Sequence, residues 1–159
     1  MPRNYKSTAV LLDPDPKYGS MLATKIINKL MYDGKKSTAQ GIFYEAIDLA
    51  MKRLTDCQDP VEMFTKAIDN IRPMVEVRSK RVGGANYQVP REVKRARQQS
   101  LAIRWLVDNS RKKKGKPMAK RLAEELSDAY MGQGASVQWK EQVHKMAEAN
   151  KAYAHYASH

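Results

Sequence analysis

Arginine and lysine are the side chains whose number and spacing point most directly to a chemistry in this sequence. The 159 residues carry 29 basic and 17 acidic side chains, for a net charge of +12. Residues 72–121 alone hold sixteen of the basic and three of the acidic side chains. Cations at this density repel one another, and a polyanion such as a phosphate backbone turns that repulsion into attraction. The distribution therefore favours a nucleic-acid partner over an ordinary solvated surface, which mixes both signs.

The densest basic stretch reads as a long helix from Arg91 to about Lys112. Arg97, Arg104 and Arg111 recur every seven residues and so align along one side of that helix. Further cations flank this line at Arg91, Lys94, Arg95, Lys112, Lys113, Lys114 and Lys116. Only Glu92 and Asp108 interrupt the positive charge, which predicts a continuous cationic surface.

A second basic element, VEVRSKRVGGANYQVP at 75–90, has the pattern of a β-hairpin. Alternating residues predict two strands, Gly83-Gly84 fits a two-residue turn, and Pro90 is expected to end the pairing. Arg78 and Lys80 share one face, and Arg81 lies near the tip. A two-stranded ribbon is marginally stable alone. Two interpretations stay open: a charged edge that discourages strand pairing, or a ribbon that presents cations to a nucleic acid.

The remaining pattern predicts a mainly α protein of about six helices with one hairpin. Residues 1–19 read as a poorly ordered, flexible N-terminal arm, and 20–157 as one helical domain with its hairpin at 74–90. The motif STAQ at 37–40 is a capping-box pattern with Ser37 as N-cap, and DPVE at 59–62 gives a helix start. Pro117 opens a further helix, and Ser136 is expected to cap the last one.

An enzyme finds little support in the sequence, and no cofactor is expected. His144, His155 and His159 lie at the end of the chain without a second ligand at metal-site spacing. The single cysteine, Cys57, reads as a small apolar side chain in a reducing compartment. The sequence shows neither a signal peptide nor a run of about 18 apolar residues, so we expect a cytoplasmic protein without a membrane partner.

Whether the nucleic-acid partner is RNA or DNA is harder to predict from the sequence. A narrow cationic ribbon can follow an irregular folded RNA, and DNA readers more often present one helix to a groove. The basic residues and their arrangement favour an RNA partner only weakly. The rival is a DNA-binding regulator that uses the helix at 91–112, although the sequence shows no evident dimer interface for it. An RNA-modifying enzyme is a more distant alternative that lacks a recognisable cofactor site.

Five motifs carry a resemblance to a known family. DGKKSTA at 33–39, VEVRSKRVGGANYQVP at 75–90, LAIRWLV at 101–107, LAEELSDA at 122–129 and HKMAEANKAYAHY at 144–156 resemble the bacterial small-subunit ribosomal protein seven family. The resemblance implies a helical domain with a protruding ribbon that binds the 3′ major domain of small-subunit ribosomal RNA and starts assembly of the subunit head. It also implies a ribosome-bound protein near exit-site tRNA and mRNA, in contact with the platform protein numbered eleven, and no DNA partner.

The candidate site residues fall into three sets. The candidate ribosomal RNA contacts are Arg3, Lys6, Lys17, Lys35, Lys36, Arg72, Arg91, Lys94, Arg95, Arg97, Arg104, Arg111, Lys112, Lys113, Lys114 and Lys116. The ribbon set, expected on the tRNA and mRNA side, is Arg78, Lys80, Arg81, Gly83, Gly84 and Tyr87. The C-terminal tRNA-side set is Lys145, Lys151, Tyr153, His155 and Tyr156.

Two departures from the family pattern bear on these sets. The arm MPRNYKSTAVLL is less basic than is usual in the family, and Gln138 and Trp139 stand where relatives tend to have lysine or arginine. Two interpretations of Trp139 stay open, stacking on a base and burial against the preceding helix. Trp105, within an apolar run, is expected in the core.

Overall fold

A computed structural model describes residues 7–158, in which helices surround one core and a two-stranded antiparallel ribbon projects from them. The elements are α1 (Met21–Leu30), α2 (Lys36–Arg53), α3 (Pro60–Ile71), β1 (Val75–Val82), β2 (Ala85–Glu92), α4 (Arg95–Lys112), α5 (Met118–Tyr130) and α6 (Ala135–Ala149), with 3-10 helices at Thr8–Leu11 and Lys151–Ser158. The mainly α fold with one hairpin is confirmed. No helix among the described residues is both long enough and apolar enough to span a bilayer.

The core lies between the apolar faces of α1 to α5. Ile26 of α1, Phe43 of α2, Phe64 of α3, Leu106 of α4 and Leu122 of α5 are all fully buried. Burial of these stripes removes apolar surface from water, which is the main favourable contribution to folding. The core fixes the positions of α1 and α4, whose outer faces carry the cations discussed below.

Of the three N-cap residues predicted from the sequence, one caps its helix and two do not. Asp59 caps α3 as expected, since its side chain accepts from the Val61 N–H at 3.0 Å. The prediction for Ser37 was wrong: α2 begins at Lys36, and its N-cap residue Lys35 makes no side-chain capping bond. Ser136 is likewise inside α6 rather than at its cap. At α6 a tertiary contact replaces the local cap, since the Ser136 N–H donates to Glu125 Oε1 at 2.8 Å.

The ribbon runs further than its sequence suggested. Gly83 and Gly84 form the predicted turn with φ of +57° and +85°, values that glycine adopts without steric cost. The expectation that Pro90 ends the pairing was wrong, because Val77 pairs with Pro90 and the register continues to Val75 opposite Glu92. A proline is tolerated here because, in a two-stranded ribbon, every second N–H points away from the partner strand.

The longer ribbon moves the start of the basic helix. Arg91, expected on that helix, lies in β2, and α4 begins only at Arg95. Arg91 therefore faces Glu76 across the ribbon instead of extending the helical line of arginines.

The last part of the predicted arm packs against α2. Asp15 is 2% exposed and accepts hydrogen bonds from the Lys17 and Tyr18 N–H groups and, at 2.6 Å, from the Tyr44 hydroxyl. The pKa of Tyr44 is raised to about 12, mainly because the hydroxyl is buried and secondly because of this hydrogen bond. The division into arm and domain at residue 20 stays a prediction.

Candidate nucleic-acid interface

The base of the ribbon holds three arginines around one buried carboxylate. Glu76 is 7% exposed, and the Arg97 Nε donates to its two oxygens at 3.0 and 2.9 Å. The Arg78 and Arg91 Nε atoms lie 3.4 and 4.0 Å from its Oε1. The hydrogen bond with Glu76 raises the pKa of Arg97. One carboxylate cannot neutralise three guanidinium groups, so this cluster, the ribbon-base arginines, keeps a surplus of positive charge.

The outer two of these arginines are available to a partner. The Arg78 and Arg91 side chains are 52% and 49% exposed. Guanidinium groups present a planar fork of donors that matches the oxygens of a phosphate. Glu76 holds the forks near one another, and the charge surplus favours an anion beside them.

The C-terminal segment packs on the ribbon and joins the second and third predicted sets. The ring centroid of Tyr87 in β2 lies 5.1 Å from that of Tyr153 and 5.2 Å from that of Tyr156. The Lys80 Nζ donates to the Tyr156 carbonyl at 2.8 Å, and the His155 ring lies 4.1 Å from the Tyr156 ring. This tyrosine cluster (Tyr87, Tyr153 and Tyr156) makes ribbon and C-terminus one surface.

A cationic groove of about 360 Å³ lies between α1 and α4. Its lining residues are Lys25, Asn28, Lys29, Ser100, Ile103 and Arg104. The Lys25 Nζ donates to Gln99 Oε1 at 2.8 Å, which ties the edges of the two helices together. Sequence reasoning missed Lys25 and Lys29. Their four-residue spacing on the polar side of α1 was the available signal.

Some basic residues between the end of α4 and the start of α5 have partners within the protein. Arg111 donates to the Leu30 carbonyl at 3.1 Å and stacks over Tyr32 at 4.2 Å, so it closes the end of α1. Arg121 donates to the Lys113 carbonyl at 2.7 Å at the end of α4. The Lys113 Nζ lies 3.0 Å from the fully buried carboxylate of Glu125. Arg111 and Lys113 were predicted to contact ribosomal RNA, and both have partners within the protein.

Four other predicted cations form ion pairs near the surface. Lys17 pairs with Asp48 at 3.9 Å, Arg72 with Asp69 at 3.1 Å, Lys151 with Glu148 at 3.7 Å, and Lys116 with Glu124. The Lys116 hydrogen bond lowers the pKa of Glu124. Exposed pairs contribute little to stability, so a phosphate can replace the carboxylate as partner.

The remaining predicted residues are exposed without an acidic partner in the described part of the chain, or lie outside it. The exposed cations are Lys35, Lys36, Arg81, Lys94, Arg95, Arg104, Lys112, Lys114 and Lys145. Arg3 and Lys6 lie outside residues 7–158. Arg104 also borders the space between α4 and α6, where the Lys112 Nζ lies 5.7 Å from the ring centroid of Trp139.

His144 has a structural partner at the foot of the ribbon. Its Nε2 accepts from the Met74 N–H at 3.1 Å. Burial, followed by the nearby Lys140 charge, lowers the pKa of His144. Across residues 7–158, no three His, Cys, Asp or Glu side chains are grouped so that they could hold a metal ion.

A helical body, a projecting ribbon and cations concentrated on the ribbon base, α1 and α4 define a small basic protein of the nucleic-acid-associated class. The family model described as ribosomal protein S7p/S5e matches residues 2–151, and the chain belongs to this family.

Curated relatives match nearly the whole chain. The proteins from Fervidobacterium nodosum and Gluconobacter oxydans are each 52% identical to it, over 97% and 98% of this chain and 98% and 99% of their own length. The protein from Nitratiruptor sp. is 57% identical over 90% of this chain and 91% of its own length. Each of the three is named small ribosomal subunit protein uS7.

Proposed function

We propose that this protein is a structural constituent of the small ribosomal subunit that binds the 3′ major domain of the ribosomal RNA and starts assembly of the subunit head. Family membership supports the ribosomal role. The observation that carries RNA binding is the ribbon base, where Arg78, Arg91 and Arg97 surround the single carboxylate of Glu76.

The mechanism is electrostatic and architectural. The ribbon base lies at the start of α4 and the α1–α4 groove about two turns further along it, since Arg97 is in the first turn and Arg104 is seven residues further on. Phosphates from two RNA segments bound at these places would have their mutual orientation set by a rigid helix. Counterion release supplies the free energy, and the fixed spacing supplies shape selectivity.

The ribbon tip and the tyrosine cluster serve a second role in this proposal. They face exit-site tRNA and mRNA, and the platform protein numbered eleven is a further partner. Arg81 at the tip is exposed, and the aromatic rings hold the C-terminal segment beside β2. The protein acts in the cytoplasm, bound to the ribosome, and performs no catalysis.

The test is a competition between three nucleic acids. A transcript of the 3′ major domain, a duplex DNA of equal length and a tRNA are titrated with the protein over a salt series. The proposal expects tightest binding to the transcript at every salt concentration. Equal binding to all three would reduce the protein to a generic polycation, and preference for the duplex would favour the DNA-regulator alternative.

A further inference from the structure

Trp139 forms one wall of an open pocket between α4 and α6. The pocket has a volume of about 200 Å³ and is lined by Arg104, Trp105, Asp108, Asn109, Lys112 and Trp139. Trp139 is 40% exposed, whereas apolar side chains nearby, such as Val137 and Val143 in the same helix, are buried. An indole that is 40% exposed beside charged groups is unlike a core position, where the ring is covered.

Charged side chains of α4 follow one another along the pocket. Arg104, Asp108 and Lys112 are each four residues apart, so they lie on the same side of the helix. The Lys112 Nζ is 5.7 Å from the Trp139 ring centroid, near the outer limit for a cation–π contact. The pocket thus combines an aromatic face, a carboxylate acceptor and two cations.

Buried hydrogen bonds fix the start of α6, and with it the position of Trp139. Ser136 is fully buried, and its N–H donates to Glu125 Oε1 at 2.8 Å. The Asn109 side-chain amide donates to the Ser136 hydroxyl at 3.3 Å. Because these bonds join α6 to both α4 and α5, the backbone that carries Trp139 is fixed beside the pocket before any ligand arrives.

We infer that this pocket receives one unpaired base of the bound RNA, an inference that rests on the proposed function. The base stacks on the exposed face of Trp139, and the Asp108 carboxylate accepts from an exocyclic amino group. Arg104 and Lys112 contact the flanking phosphates. Base–aromatic stacking combined with flanking cations is the usual way in which proteins bind single-stranded nucleotides.

A protein partner fits the pocket less well. The centre of a protein–protein interface is depleted in charged residues, whereas here three charged side chains line a pocket with one exposed aromatic face. Arg104 also lines the α1–α4 groove, so the groove and the pocket are adjacent, and an RNA strand bound in the groove would pass beside the pocket.

The first experiment substitutes Trp139 by Leu and, separately, by Phe in the full chain, with affinity for the 3′ major domain transcript measured over a salt series. Stacking contributes roughly 1–3 kcal/mol per base, so W139L is expected to lower the affinity by about 5- to 150-fold. W139F keeps an aromatic face and is expected to recover most of that loss. Neither substitution removes a phosphate contact, so the slope of log affinity against log salt should match wild type.

A second measurement reads the indole directly. In a W105F variant Trp139 is the single tryptophan, and stacking should quench its fluorescence as the transcript is added. Wild-type affinity for W139L, or no quenching when the W105F protein binds the transcript, would overturn the inference and leave the proposed function intact. Absence of selective binding by the wild-type protein would overturn the proposed function, and the base pocket with it.

Discussion

Arg97 of α4 donates from its Nε to both carboxylate oxygens of Glu76 in β1, at 3.0 and 2.9 Å, and so ties the ribbon to the helical body. A two-stranded ribbon needs such an anchor, because it buries too little surface to be stable alone. Glu76 in turn needs a cation, since a buried carboxylate without a partner is costly. The arginine predicted to bind RNA is therefore also a structural residue.

Substitution of Arg97 and of Arg95, two residues apart, should affect protein stability differently. R97A is expected to lower the free energy of unfolding by about 1–2 kcal/mol, because a charge-assisted bond is lost and Arg78 and Arg91 compensate only partly. R95A removes an exposed cation and should change stability by less than about 0.5 kcal/mol while it weakens RNA binding. Urea unfolding and RNA titration of both variants give the comparison. Equal stabilities would contradict the anchoring role of Arg97.

Glu125 is expected to be among the most sensitive positions for stability. Its carboxylate accepts from the Ser136 N–H at the start of α6 and lies 3.0 Å from the Lys113 Nζ. E125A leaves the Ser136 N–H without its acceptor and Lys113 with only Asp128, 4.0 Å away, and should cost about 2–4 kcal/mol.

The matched control for Glu125 is E141A, which removes an exposed carboxylate from α6 and should be nearly neutral. Amide exchange at Ser136 should also accelerate strongly in E125A and stay slow in E141A. Similar unfolding free energies for the two variants would show that the buried carboxylate does not hold α6.

His144 should make the foot of the ribbon sensitive to mild acid. Its Nε2 accepts the Met74 N–H, so the bond requires the unprotonated nitrogen, and the pKa of His144 in the folded protein is lowered. A lowered folded pKa means that stability is present above the unfolded value of about 6.5 and is lost as the pH falls from there through the folded pKa.

We expect the protection of the Met74 amide against exchange, relative to its intrinsic rate at each pH, to fall below about pH 6.5, the unfolded pKa of histidine, and this pH dependence should flatten in H144Q. The His144 resonances should titrate below the value of an unfolded peptide. A His144 pKa above that value would contradict the assigned hydrogen bond.

Two glycines offer opposite responses to the same substitution. Gly84 has φ of +85° at the ribbon turn, so G84A forces alanine into a left-handed conformation and should destabilise the ribbon by about 1–2 kcal/mol. Gly41 lies within α2 with open space around it, so G41A should stabilise the protein by roughly 0.5–1 kcal/mol. Amide exchange in β1 and β2 and thermal unfolding test the pair. Stabilisation of the ribbon by G84A would contradict the left-handed conformation assigned to Gly84 at the turn.

Local sequence signals predicted the ribbon turn and the Asp59 cap, because turn glycines and N-caps act through neighbours two or three residues away. Ser37 and Ser136 failed as caps, since α2 starts at Lys36, two residues before the start that a Ser37 cap implies, and Glu125 takes over the capping of α6 from another helix. Such a bond joins residues eleven positions apart and leaves no periodic trace.

For the cationic surface, too, the sequence predicted part of the arrangement, and the rest depends on tertiary packing. Clustering between residues 72 and 121 predicted its charge, but not which cations have intramolecular partners. Arg111 and Lys113 bind groups of the protein itself, whereas Lys29, outside the cluster, lines the groove beside Arg104. Only the packing of α1 on α4 brings Lys29 and Arg104 together.

The most direct test of RNA binding by the α1–α4 groove is the salt dependence of binding to the 3′ major domain transcript. The double variant K29Q/R104Q is compared with K52Q/K66Q, which removes the same charge from exposed positions of α2 and α3. We expect K29Q/R104Q to weaken binding and to reduce the slope of log affinity against log salt by about 2, because two phosphate contacts are lost. The control should keep a slope close to wild type. Equal slopes for the two double variants would contradict the assignment of the groove as one of the two RNA-binding surfaces.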